Sequence, residues 1–185
     1  MLHHHRFRLA LFFRLTFGLC AAAGLLALRT PAAVAGESDL LAVGTPAPNF
    51  TAVAHDGKTV DLSKLRGHYV VLYFYPKDDT SGCTKEACEF RDSWGQLQKM
   101  GVEVFGVSTQ DNRSHQAFAE KHKLPFSLLP DEKGELAAKY KVPVFLGMAR
   151  RITYLIGKDG KIVRVWPSVN PVGHSAEILA AIPKA

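Results

Sequence analysis

The stretch His68-Tyr69-Val70-Val71-Leu72-Tyr73-Phe74-Tyr75-Pro76 is apolar at every position from Tyr69 to Tyr75 and is closed by a proline. A run without polar alternation reads as a central strand buried on both faces, the kind that parallel sheets hold between two layers of cover. From Thr84 onward the apolar residues Ala87, Phe90, Trp94 and Leu97 step by three and four. That spacing predicts a helix with one buried face, ended by Gly101. A buried strand that hands directly to an amphipathic helix is the first half of a β-α-β crossover.

Downstream, Val102 to Val107 predicts a second buried strand, Ser114 to Lys123 a helix with Ala117 and Phe118 facing inward, and Phe126 to Leu129 a short strand. Glu132 to Tyr140 predicts a short helix. Arg151 to Ile156 and Ile162 to Trp166 predict a hairpin over Asp159-Gly160, and Ser175 to Ile182 a closing helix. Upstream, after the Pro/Gly-rich Gly44 to Pro48, Asn49 to Ala54 and Thr59 to Leu62 flank His55-Asp56-Gly57-Lys58, which predicts a hairpin with an Asp-Gly turn. This order, with an antiparallel pair and a helix closing a parallel β-α series, is that of a thioredoxin-like α/β sandwich with an extra N-terminal β-hairpin.

The 185 residues are 47% hydrophobic and 22% charged, the balance of an ordinary folded domain rather than a disordered, collagen-like or multi-span membrane chain. The formal charge of +6 is concentrated at the start. Arg6, Arg8, Arg14 and Arg29 fall in the first 35 residues, which hold no acid, and the remainder carries 19 basic against 17 acidic residues. With no Lys/Arg stripe interleaved with aromatics, nucleic acid is excluded as a partner.

Residues 1–35 read as a signal peptide, with a basic start, the apolar run Leu15 to Leu28, and Ala33-Val34-Ala35 as the cleavage pattern before Gly36. That run is too short to cross about 30 Å of hydrocarbon at about 1.5 Å per residue. Counting from Leu9 lengthens it, with Arg14 inside, so an uncleaved anchor over residues 9–28 is the alternative. Cys20 follows Leu19, where lipoprotein processing wants a small residue, and the His3-His4-His5 triplet falls in the discarded segment. Export would place residues 36–185, a single domain, in a periplasm or an equivalent lumenal compartment.

Cys83 and Cys88 are the only cysteines after that segment, and they sit where the long strand turns into the first helix. Two nearby cysteines in an exported chain read first as a structural disulfide. On a continuous helix, however, their Cα atoms would be roughly 8.7 Å apart, beyond the roughly 4.4 to 6.8 Å that a disulfide spans. A bond would require the first turns to unwind, which suits a catalytic cycle better than a staple. Cys83 follows the loop Lys77 to Gly82 and opens the helix, where free N–H groups and the positive end of the helix dipole favour a thiolate. Cys83 is thus expected to be the nucleophile and Cys88, mid-helix, the second thiol.

The segment Tyr75-Pro76-Lys77-Asp78-Asp79-Thr80-Ser81-Gly82-Cys83-Thr84-Lys85-Glu86-Ala87-Cys88 resembles the peroxiredoxin signature: a proline, three residues, Thr or Ser, two residues, then the peroxidatic cysteine. The second cysteine five residues on is similar to the peroxiredoxin Q, or bacterioferritin comigratory protein, subfamily. The likeness runs from Gly44 to about Lys141 and from Arg151 to Ile162. The resemblance implies a thiol-dependent peroxidase acting on hydrogen peroxide and organic hydroperoxides, with no cofactor and no metal. It implies that Cys83 attacks a peroxide oxygen in line with the O–O bond, that Cys88 condenses with the resulting sulfenic acid, and that thioredoxin or a similar dithiol reduces the disulfide.

The resemblance also carries roles onto single residues. Thr80 aligns with the hydroxyl that bonds the substrate oxygen and thiolate, and Pro76 with the proline that shields the site from water. Arg151 aligns with the arginine that supports the thiolate and transition state, and Glu86 with its acidic partner. Pro76 reads equally as a strand terminator, and Arg150-Arg151 also as a solvated loop. The chain departs from the subfamily at Val142 to Ala149 and at Trp166 to Gly173, and it is expected to act as a monomer. His55, His68, His115, His122 and His174 share no spacing and read as surface or core histidines.

Two other functions are weighed. An exported thiol-disulfide oxidoreductase of thioredoxin type wants C-x-x-C and a cis-proline directly before the late strand. Here the spacing is C-x₄-C, Arg151 occupies that place, and Pro143 lies too far upstream. A copper carrier using two thiolates and a distal histidine needs closer ligands and an identifiable histidine.

Overall fold

The computed structural model describes residues 39–183, so the leader or anchor expected within residues 1–35 lies outside the described residues. In chain order the elements are β1 (Thr51–Val53), β2 (Thr59–Asp61), β3 (Tyr69–Phe74), α1 (Ser81–Asp92), α2 (Trp94–Lys99), β4 (Val102–Ser108), α3 (Asn112–His122), β5 (Ser127–Pro130), α4 (Glu135–Lys139), β6 (Val144–Phe145), β7 (Met148–Ala149), β8 (Ile152–Ile156), β9 (Ile162–Trp166) and α5 (His174–Ala181). Five strands form one sheet in the order β5-β4-β3-β8-β9. β3, β4 and β5 are parallel, while β8 runs antiparallel to β3 and β9 to β8.

β3 lies in the middle, and its side chains alternate between two cores. Val70, Leu72 and Phe74 pack with Phe50, Leu62, Tyr140 and Tyr154 on one face, and Val71, Tyr73 and Tyr75 with Phe90, Leu97, Phe118 and Ile178 on the other. Cover on both faces is the reason the run has no polar position. The thioredoxin-like sandwich and the β1–β2 hairpin follow the sequence reading.

The structure departs from that reading in three places. The single helix expected from Thr84 to Gly101 is two. α1 already starts at Ser81, and Ser93, at φ −90° and ψ 0°, ends α1 and caps α2. The Ser93 hydroxyl shares a 2.9 Å hydrogen bond with Ser175 Oγ at α5, a tertiary pull that periodicity does not report. α4 begins at Glu135 rather than Glu132, because Asp131 accepts from the N–H groups of Leu136 and Ala137 at 2.9 and 2.8 Å and so sets the first turn there. Val142 to Ala149 carries the short hairpin β6–β7, which the sequence reading lacked.

Candidate active site

In the β3–β8 pairing Phe74 lies opposite Ile152, so the chain leaving β3 and the chain entering β8 meet at one end of the central strands. The first carries the loop Pro76 to Thr80 into α1, and the second carries Arg151. Two neighbouring aspartates fasten that loop. Asp78 is buried, and its Oδ1 accepts from Tyr75 Oη at 2.7 Å, while its Oδ2 accepts from Ser114 Oγ at 2.6 Å and lies 2.9 Å from His115 Nδ1. Burial by itself pushes this carboxyl up, but hydrogen bonds from His115, Ser114 and Tyr75 outweigh it and hold Asp78 below the usual carboxylate range. Asp79 adopts a left-handed φ of +57°, and its Oδ1 meets Lys121 Nζ and His122 Nε2, both at 2.9 Å. The loop is thereby tied to both ends of α3.

Thr80 is the N-cap of α1. Its carbonyl accepts from the Thr84 N–H at 2.9 Å, and its hydroxyl donates to the Lys77 carbonyl at 3.1 Å. Cys83 is the third residue of the helix, only 1% exposed, and its thiol is free. Arg151 Nη2 donates to Cys83 Sγ at 3.1 Å, beside the free N–H groups of the helix start. Gly82 leaves room for that approach. A Cβ there would lie 3.3 Å from Arg151 Nη2 and 3.5 Å from Pro171 Cγ, so the segment after β9 also closes over the first turn of α1.

The other arm of the same guanidinium, Nη1, donates to Glu86 Oε2. Glu86 is fully buried, its Oε1 has no hydrogen-bond partner, and His174 Nε2 stands 3.9 Å from that oxygen. Burial pushes the Glu86 carboxyl up to about 7 against the opposing pull of Arg151. His174, also buried, shares a 3.0 Å hydrogen bond with Thr153 Oγ1. Burial first, and then the Arg151 charge, push His174 down to about 4, so it is neutral near pH 7.

Cys88 lies further along the unbroken α1, half-buried and free. Glu89 beside it accepts from the Gly173 N–H with both carboxylate oxygens, at 2.9 and 2.7 Å, capping α5 from outside. Arg91, three positions on, donates to the His122 carbonyl at 2.9 Å.

Of the residues singled out in the sequence, the structure brings Cys83, Glu86 and Arg151 into one bonded group. Arg151 is therefore bonded to Cys83 and Glu86 and is not a solvated loop residue, whereas Arg150 is exposed. Cys88 stays apart on the same helix, as its spacing requires. Thr80 stands at the helix start, but no hydrogen bond joins its hydroxyl to Cys83 Sγ, because that proton is directed to Lys77. Pro76, half-buried, ends β3 and opens the loop. The sequence reading missed Asp78, His115, Thr153 and His174 as parts of the site. His115 and His174 are indeed core histidines, but each faces a carboxylate of the catalytic region, and its partner lies too far along the chain for spacing to reveal it.

Residues 43–165 match the family described as AhpC/TSA. This chain belongs to that family, as a peroxiredoxin of the Q type. The peroxiredoxin is 45% identical over 148 residues to the Coxiella burnetii peroxiredoxin named bcp, covering 76% of this chain and 97% of that one. With the chloroplastic peroxiredoxin Q of Triticum aestivum it shares 46% identity over 142 residues, 75% of this chain and 65% of the plant chain. The bacterioferritin comigratory protein of Xanthomonas campestris, solved in trapped intermediate and ligand complexes that address its alkyl peroxide reduction activity, matches this fold with a TM-score of 0.67. Its identity is 31%, over 71% of this chain and 88% of that chain. The peroxiredoxin is a thiol-dependent peroxidase.

Proposed function

We propose that this peroxiredoxin reduces hydrogen peroxide and alkyl hydroperoxides through Cys83, resolves the product with Cys88, and is returned to the dithiol state by thioredoxin or a similar dithiol. The Cys83 thiolate attacks one peroxide oxygen and the O–O bond breaks. Cys83 gains that oxygen as sulfenic acid, and the departing alkoxide takes a proton and leaves as alcohol or water. The Cys88 thiol then attacks the sulfenic sulfur, forming the disulfide and releasing water. An external dithiol reduces that bond by exchange and is itself oxidised.

The observation that carries this reading is the bridging of Cys83 Sγ and Glu86 by one guanidinium at the start of a helix that also bears a free Cys88. In it, Arg151 steadies charge passing from sulfur to the leaving oxygen, Glu86 holds Arg151 in place, and Thr80 and Pro76 shape the loop from which the peroxide approaches. The thioredoxin-type oxidoreductase finds no support in the relatives, which are peroxiredoxins. One equivalent of alkyl hydroperoxide is expected to yield one equivalent of alcohol and one Cys83–Cys88 disulfide by mass spectrometry. Alcohol formation with Cys88 persistently free in the product would remove Cys88 from the cycle.

The same proposal makes the enzyme an exported monomer cleaved after Ala35. Plastid transit segments are Ser-rich, whereas residues 1–35 contain no serine, and this favours export over the plastid location of the Triticum aestivum relative.

A further inference from the structure

The turn of hairpin β6–β7 breaks two rules at once. Two-residue hairpin turns with positive φ at both central positions normally take Asn-Gly or Asp-Gly. Here those positions are Leu146, at φ +49°, and Gly147, at φ +72°. Left-handed backbone is unfavourable for a leucine, and this leucine is also 80% exposed. Phe145, at 73%, and the exposed Val144 and Met148 stand out with it. The tip is nevertheless anchored, since Thr109 Oγ1 donates to the Gly147 carbonyl. Strain and exposure both weaken the isolated molecule, which points to an interaction outside it.

Charge identifies the occupant. From Leu136 to Lys158 the chain holds no acidic residue, while Lys139, Lys141 and Arg150 flank the hairpin and are exposed. Glu132 lies beside Lys133 in the hollow under Val144 and Gly147, and Glu135 stands at the start of α4. A tip of four apolar side chains on strands of two residues is smaller than the roughly 800 Å² per partner of a stable protein interface. It suits a fluid apolar layer beneath anionic headgroups, where the tip enters and the long basic side chains stay at the surface.

We infer that hairpin β6–β7 docks this protein onto an anionic lipid bilayer. Arg151 follows β7 by two residues, so docking holds the hairpin's end of β8 near the membrane. The inference is independent of the catalytic cycle.

The test uses the cleaved form, residues 36–185, which holds the whole described fold, carrying Phe145→Trp, with vesicles of phosphatidylglycerol and phosphatidylcholine whose acyl chains are brominated. Bromine quenches an indole that enters the bilayer, and the wild type supplies the background from Trp94 and Trp166. The added emission is expected to be quenched on anionic vesicles and not on pure phosphatidylcholine. Lys139→Gln and Lys141→Gln should each weaken partition about five-fold. Leu146→Asn, which supplies the preferred turn residue, should raise Tm and lower vesicle binding roughly ten-fold or more, with peroxidase activity in solution unchanged. Vesicles that carry the protein without quenching overturn the proposal, as do absence of binding, equal binding to zwitterionic vesicles, or wild-type binding by Leu146→Asn. A dimer dissolved by Leu146→Asn, with no quenching, assigns the surface to a second copy instead.

Discussion

The start of α1 and its middle each carry one cysteine and share little else. At Cys83 the surroundings are fixed on every side, by the tethered loop before it, by Arg151 bonded to both its sulfur and Glu86, and by Pro171 over Gly82. At Cys88 the thiol is half-exposed, and the nearby ties, Glu89 to Gly173 and Arg91 to His122, are polar bonds near solvent. One helix thus separates two demands. A nucleophile that stabilises a developing charge needs donors held in place, whereas a resolving thiol that must travel to its partner needs a segment that opens easily.

The sharpest way to break the contrast is to remove each sulfur in turn. Cys83→Ser should abolish peroxide reduction, while Cys88→Ser should still consume one equivalent and stop, measured by stoichiometric peroxide loss. Full turnover by the Cys83 variant would exchange the two roles. Next in size is Arg151→Ala, expected to slow Cys83 oxidation in stopped flow by about 10²–10³, the range for one lost donor at a site of developing charge. Arg151→Lys should recover little, because one ammonium does not replace a fork that reaches two partners.

The fixed end should also show a concealed pH dependence. Glu86 is raised from 4.5 to about 7, so as pH rises through that window the unfolded chain ionises while the folded one resists, and stability falls. His174 is lowered from 6.5 to about 4, so as pH falls through that window the unfolded chain gains a proton that the folded one refuses, and stability also falls. Each effect is on the order of 3 kcal/mol, and between about pH 4.5 and 6.5 their slopes oppose. Denaturant melts should therefore show little dependence on these two groups in the wild type. Glu86→Gln should become more stable as pH rises from 4 to 6.5, and His174→Gln less stable as pH rises from 4.5 to 7. Parallel profiles for the two variants would refute the opposition.

The smallest effect concerns the mobile end. Glu89→Ala removes the acceptor at the start of α5, so disulfide formation after sulfenic acid should quicken about five-fold, for roughly 1 kcal/mol of lost capping, with Cys83 oxidation unchanged. Amide exchange should report the same event: residues 84–91 exchange fast in the disulfide form and slowly in the dithiol form, with β3 protected in both. An unaltered resolution rate would mean that the Glu89 bond survives the opening.

The strand, the helix start and the reactive pair were legible because they lie within 34 residues of continuous sequence, from His68 to Gly101, where apolar spacing and the Pro76-to-Cys88 pattern report directly. Arg151 was reachable only by resemblance, since the β3–β8 pairing that delivers it is a tertiary fact. His174 reaches Glu86 and His115 reaches Asp78 across the fold, and neither has a local signature. The β6–β7 hairpin was hidden for a different reason: its turn puts leucine where the recognisable residue would be asparagine or aspartate. Ser93 broke a helix whose apolar spacing ran straight through it.

Asp78 and Asp79 impose a direction on the catalytic cycle. Their bonds to α3 clamp the residues immediately upstream of Cys83, and none of those bonds involves a segment that must melt for the disulfide to form. Opening can then travel only downstream, from Cys83 toward Arg91, as in a zipper with one end sewn shut. Rewinding after reduction starts from a template already in register, so the thiolate site is regained by adding turns to a fixed origin and not by a search for it.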